Sequence, residues 1–264
     1  MMNFLGNGTL VSTDQCHVWR QSTPTFTPSS SLWSPELRLR SPRSWTSSVV
    51  RPGPDEGSLE MLVVGGVGSE NIPLATVEVV SLSPHPHTTL LPHTFPSGLS
   101  SHCTVQLNSS HTFIAGGALS VPMDRISRSA WHLTREGLLP ATSMMQARAG
   151  HSCTSLVSSF GEVEVVVVGG VTMAGVRTVL DTVEIFNPRT GDWRLGPRLP
   201  RPLFGASMLE LSGQPVLFGG RYQDETGLHQ TAHSYLYQNI WRSGSLRLGG
   251  PRDLAALLPA PPTC

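Results

Sequence analysis

The sequence contains no lysine. All eighteen basic residues among its 264 are arginine, eighteen acidic residues balance them, and only 14% of positions are charged. An ordinary soluble domain carries roughly a quarter. Scattered arginines in a neutral chain make no concentrated positive field for a nucleic-acid backbone. Long like-charge blocks, the mark of a disordered tail, are missing too. The longest apolar run, Val165 to Val176, is twelve residues interrupted by Thr172 and three glycines, too short for a membrane-spanning helix. Neither a nucleic-acid partner nor a membrane span is expected. Met1-Met2-Asn3-Phe4-Leu5-Gly6 lacks the basic region and apolar core of a signal peptide, so the expected location is cytoplasmic, with a secreted fragment as the alternative. The four cysteines, Cys16, Cys103, Cys153 and Cys264, have no disulfide-framework spacing. Cys103 and Cys153 read as small core residues.

Glycine and proline, at 26 and 22 residues, are plentiful, and the glycines are periodic. Four apolar runs end in a double glycine: Met61 to Gly66, Thr112 to Gly117, Val165 to Gly170 and Pro215 to Gly220. The first glycines stand at 65, 116, 169 and 219, at intervals of 51, 53 and 50. Leu74-Ala75-Thr76-Val77-Glu78-Val79 returns as Leu180-Asp181-Thr182-Val183-Glu184-Ile185, 106 residues on, or two periods. Small-residue segments precede each double glycine, at Ser44–Ser47, Ser101–Thr104, Gly150–Cys153 and Gly205–Met208, and a fifth candidate, Leu254–Leu258, ends the chain. Asn187-Pro188-Arg189-Thr190-Gly191-Asp192-Trp193 reads as a tight turn entering a strand. No stretch sustains a helical period. Four short strands per period near fifty define a β-propeller blade.

The double glycines, the Thr182-Val183-Glu184 to Trp193 segment and the Pro-rich turn after it resemble the kelch repeat across essentially the whole chain. The expected fold is all-β: one kelch-type propeller domain over 1–264 with about five four-stranded blades. Strands within 2–40, closed by 254–258, would form one blade, and repeats at 41–92, 93–140, 141–197 and 198–247 the others. That arrangement closes the ring by one strand plus three, which removes open sheet edges. Kelch rings commonly have six blades, so a six-bladed or incomplete ring is the alternative.

The resemblance implies that one partner-binding face is formed by the loops joining fourth to first strands together with the loops joining second to third strands. The second-to-third loops, near 67–75, 118–127, 171–180 and 221–232, carry Glu70, Asp124, Arg125, Arg177, Arg221, Tyr222, Asp224, Glu225 and His229. The opposite class of loop is expected to bring Arg43, Arg148 and Arg201 beside the axis. Arginine's planar fork suits carboxylates and peptide carbonyls, so Arg43, Arg125, Arg148, Arg177, Arg221, Tyr222 and His229 are the candidate partner-binding residues. The competing reading makes the loop arginines solvated charges and Arg43 and Arg148 locks between blades. The expected function is a monomeric module that binds a peptide or protein loop, as a substrate-recognition or scaffold subunit. No catalysis and no cofactor are expected. A kelch adaptor's N-terminal dimerisation module has no room before repeats that begin near Phe4.

The alternative is a galactose-oxidase-like or sugar-processing propeller. A copper radical site would need a cysteine beside Tyr222, Tyr235 or Tyr237, and none is poised there in the repeat frame. His102 and His151 occupy equivalent positions, but repetition accounts for both, and no compact metal-ligand spacing accompanies them. Asn7-Gly8-Thr9 and Asn108-Ser109-Ser110 match the glycosylation acceptor pattern. With no signal peptide visible, they carry no weight in this reading.

Overall fold

The computed structural model describes residues 38–81, 87–158, 160–211, 213–251 and 253 in full, together with the backbone of β1 (Met2–Leu5), β2 (Thr9–Ser12) and β3 (Val18–Trp19). These three strands form one antiparallel sheet in chain order. The expected closing strand at 254–258, Cys16 and Cys264 lie outside the described residues.

Four further sheets of four strands follow. The first contains β4 (Ser47–Pro52), β5 (Leu59–Val64), β6 (Val77–Ser81) and β7 (His87–Leu90). The second contains β8 (Cys103–Asn108), β9 (His111–Ala115), β10 (Ala130–Leu133) and β11 (Leu138–Ala141). The third is built from β12 (Ser152–Val157), β13 (Val163–Val168), β16 (Val183–Asn187) and β17 (Asp192–Gly196), and a hairpin of β14 (Val171–Ala174) and β15 (Val176–Val179) stands between its second and third strands. The fourth repeats that plan: β18 (Ser207–Leu211), β19 (Gln214–Phe218), β22 (His233–Gln238) and β23 (Ile240–Arg247), with β20 (Arg221–Asp224) and β21 (Gly227–Gln230) as the hairpin. All sheet pairs are antiparallel neighbours, the meander of a propeller blade. The segments 171–180 and 221–232, expected as loops, are therefore largely paired strands. Gly175 at φ +84° makes the first tight turn, and Asp224 accepts the Thr226 amide and hydroxyl in the second.

The second strands β9 and β13 are buried on both faces because sheets pack against them from both sides. Alternate residues of β5 serve two clusters, Leu62 and Val64 facing Ile114 and Leu133, Met61 and Val63 joining Val80 on the other side. Between the second and third sheets, Phe113 and Phe186 stack at 4.6 Å, and Trp193 covers them while donating its indole N–H to the Thr142 carbonyl. Between the third and fourth, Val166, Val168 and Ile185 meet Leu217, Tyr235 and Trp241.

Each double glycine is a packing joint. All eight residues have positive φ, from 52° at Gly65 to 104° at Gly117. The second glycine passes so close to its own sheet's leading segment that a side chain would collide. A Cβ on Gly170 would meet the Ala149 oxygen and His151 Cβ, both at 2.8 Å. Its amide reaches forward instead, to the Leu203 carbonyl of the next repeat at 2.8 Å, as Gly66 does to Leu99 and Gly117 to Arg148.

Cys103 and Cys153 form a disulfide that joins β8 to β12, the first strands of adjacent sheets. Both cysteines sit in the core as expected, but as a bonded pair that their spacing in the sequence did not suggest. They do not occupy equivalent positions: Cys103 aligns with Ser152, since the two pair with Ala115 and Val168. Neighbouring residues on a strand point to opposite faces. Cys103 thus faces forward and Cys153 backward into one interface, while Ser152 faces forward to bond the Ala206 carbonyl at 2.6 Å.

Candidate functional site

The segments entering the first strands bridge to the segments leaving the second strands. Ser44 pairs with Val67, Ser100 with Ala118, Ala149 with Val171, and Phe204 with Arg221. Ala118, Ala149 and Val171 pack together with Met123, Ile126, Val179 and Phe204 alongside. Both loop classes therefore meet at one end of the molecule. Arg43, Arg148 and Arg201, expected on the opposite class of loop, instead stand on the fourth-to-first loops at this same end.

At this end a chain of backbone hydrogen bonds links successive repeats. The Ser101 amide donates to Trp45, Gly150 to Ser101 and Gly205 to Gly150, at 2.7–2.9 Å. The four linked residues, Trp45, Ser101, Gly150 and Gly205, all have φ between 51° and 64°. Two of them are not glycine, and a shared left-handed turn is thus imposed by position in the repeat rather than by residue type.

Arg43 and Arg148 are not on a surface. Both are buried, with Glu78 and Glu184 as partners at 2.5 Å. Arg148 also donates to the carbonyls of Gly169 and Thr182, and the Glu184 carboxylate accepts the backbone amides of Met145 and Gln146. Arg43 repeats the set with Gly65 and Thr76, and Glu78 with the amides of Arg40 and Ser41. Burial lowers both guanidinium pKa values, and the paired carboxylate opposes it. The locks hold each leading segment to the third strand of its own sheet, so they span no boundary between blades. As partner-binding residues, Arg43 and Arg148 are corrected: no donor of either guanidinium faces solvent.

The remaining candidates divide. Arg125 is exposed on the 118–127 loop, and beside it the Ser120 hydroxyl donates to Asp124 and keeps that carboxyl below its usual range. Arg177 projects from β15 and lies over the Phe204 ring at 5.4 Å. Arg201 lies over Tyr222 at 4.2 Å. Tyr222 and His229, paired across β20–β21, have ring centroids 5.3 Å apart. His229 Nε2 is 3.1 Å from Asp224, whose carboxyl is lowered first by Thr226 and then by this histidine. Arg221 meets the Asp253 carboxylate at 2.6 Å. A shallow depression of about 390 Å³ opens beside it, lined by Arg221, Leu228, His229 and Gln230. Phe204 is bridged to Arg221, the residue before Tyr222, so the Arg177–Phe204 group and the Arg201–Tyr222–His229 group sit on joined segments, and these two groups make up the candidate platform. Phe204 and Arg201 complete it and were missed as a pair with the hairpins. Only their phase within the repeat, just ahead of a first strand, could have pointed to them.

His102 and His151 are buried at equivalent positions, and burial holds both rings near pKa 3 and neutral. His151 Nε2 lies 3.1 Å from the Ala115 carbonyl of the preceding sheet. Among the described residues no three His, Cys, Asp or Glu side chains are grouped to hold a metal ion. The tyrosine–cysteine pairing of a copper radical site finds no fit with Cys103 or Cys153, because each already bonds the other.

Comparison with known proteins agrees with this geometry. Residues 164–200 match the Kelch motif, the stretch from β13 through β17 that carries Glu184, Phe186 and Trp193. The fold is that of a β-propeller, and its third sheet carries the Kelch motif. A solved structure titled "Structure of YjhT" matches it with a TM-score of 0.70 over 96% of this chain and 85% of that one, at 15% identity. At that identity the likeness concerns the fold. No curated protein matches the sequence.

Proposed function

We propose that the chain is a protein-interaction module without chemistry of its own, which seats an acidic segment of a partner protein on the platform of Arg177, Phe204, Arg201, Tyr222 and His229. The carrying observation is the pair of arginines held over aromatic rings, Arg177 over Phe204 and Arg201 over Tyr222. A guanidinium stacked in this way has its planar donors oriented before binding, so less entropy is lost when a carboxylate arrives. Tyrosine and arginine are also the residue types that most often dominate binding energy at interfaces. Arg221 stands next to Tyr222 on β20, and the balanced charge of the rest of the chain offers no competing basic field.

The test is selection from a displayed random-peptide library with the immobilised chain. Peptides enriched in aspartate and glutamate are expected. Their binding should fall about tenfold or more with Arg177→Ala, Arg201→Ala or Tyr222→Ala, a loss of roughly 1.4 kcal/mol or above. Arg194→Ala, on the outer strand β17 and paired with Glu164, should leave it unchanged. Enrichment of peptides lacking acidic residues, or equal loss with Arg194→Ala, would overturn this reading.

A further inference from the structure

We propose that Asn108 carries an N-linked glycan, and that the chain folds in an oxidising compartment. Asn108 ends β8 and is exposed, with Ser109 and Ser110 forming the turn into β9. Its Oδ1 accepts the Ser110 amide at 3.0 Å and the Ser110 hydroxyl at 3.2 Å. The carboxamide oxygen is thereby occupied, on a residue that is exposed. A hydroxyl donating to Oδ1 draws electron density from the amide and makes an Nδ2 proton easier to lose. This is the chemistry that the Asn-x-Ser pattern supplies to glycosyl transfer. In the transfer, Nδ2 bonds to the anomeric carbon of a lipid-linked pyrophosphate oligosaccharide. The bond from that carbon to the pyrophosphate oxygen breaks, the lipid pyrophosphate leaves with the electron pair, and Nδ2 gives up one proton.

A second observation points independently to the same compartment. Five residues up the same strand, Cys103 is bonded to Cys153 across a buried sheet interface. Such bonds form and persist where thiols are oxidised, and are rare in the cytosol. The disulfide favours this setting over a cytoplasmic one. Asn7, in the other acceptor pattern, lies outside the described residues. The β8–β9 turn stands at the end of its sheet away from the 118–127 loop, so a glycan there leaves the proposed platform uncovered.

The test expresses the full chain behind a cleavable secretion leader in cultured animal cells. Most secreted molecules are expected to lose mass on peptide-N-glycosidase treatment, with Asn108 converted to aspartate and a Cys103–Cys153 peptide recovered without reductant. Asn108→Gln and Ser110→Ala should each abolish the mass change, and Ser110→Thr should keep it. Ser110→Ala leaves Asn108 in place and serves if Asn108→Gln fails to fold. Recovery of unmodified Asn108 in most of the folded, secreted chain would overturn the glycan. The same chain made in a reducing cytosol should melt at a lower temperature. Equal melting with both thiols free would overturn the compartment.

Discussion

The Arg148 guanidinium lies 2.5 Å from the Glu184 carboxylate with both groups sealed from solvent, and Arg43 and Glu78 repeat the pair two periods earlier. In the two sheets between and after them, the same positions are apolar. Leu99 with Trp131 and Leu203 with Tyr235 stand where the ion pairs would be, as their alignment on the double glycines shows. Burying one charge alone is costly, whereas an apolar replacement of both can be neutral. Glu184→Gln or Arg148→Leu alone should therefore cost about 3–5 kcal/mol. The pair Arg148→Leu with Glu184→Tyr, copying the fourth sheet, should recover most of it. Denaturant titration of the three variants measures the coupling.

Burial also sets the acid limit of the fold. Burial pushes the His102 and His151 imidazoles down to about 3 in the folded chain, against an ordinary value of 6.5. Between these values the unfolded chain takes up protons that the folded chain refuses. The stability that neutral imidazole provides is complete above pH 6.5 and is lost as pH falls toward 3. The slope should be about 1.4 kcal/mol per pH unit for each histidine. Thr46 and Ala206 occupy the equivalent positions in other sheets, against the second glycine. His102→Thr or His151→Ala should flatten the dependence, measured as denaturant midpoint against pH.

The repeat was legible because its markers depend on residue type. A double glycine is required where φ is positive and the next backbone is in contact, so its period survived in the sequence. The Arg–Glu locks were half legible. Glu78 and Glu184 sit in the two-period motif, and Arg43 and Arg148 are 105 residues apart, matching its 106. That shared spacing was the signal tying each arginine to a carboxylate rather than to a partner. The disulfide was hidden because its cysteines are out of phase in the repeat, and their meeting depends on which way each points from its strand. The platform was hidden as well. Arg201 and Tyr222 come together only because a hairpin replaces the expected loop.

The disulfide closes a 50-residue separation between two innermost strands. Its main effect is to limit the unfolded chain, by about 2–4 kcal/mol for a loop of this order. Cys103→Ser or Cys153→Ser should lower the melting temperature, and reductant should bring the parent chain to the same value while leaving the variants unmoved. A variant that still responds to reductant would place the stabilising bond elsewhere.

Glycines with the same sign of φ should differ sharply in what they tolerate. Gly175, at φ +84° in the β14–β15 turn, has open space where a Cβ would sit. Gly175→Ala meets only the left-handed backbone penalty, about 1–2 kcal/mol. Gly170, at φ +93°, carries a comparable penalty and also drives its new methyl into the Ala149 oxygen and the His151 Cβ. These atoms belong to the backbone-bridged leading segment beside a buried ring, and cannot retreat cheaply. Gly170→Ala should cost at least twice as much as Gly175→Ala in denaturant unfolding. It should also disturb binding at the platform, because the amide of Gly170 holds Leu203, next to Phe204. Equal costs for the two substitutions would show that the double glycine is selected for its backbone conformation alone, and not for the contact it makes with its own sheet.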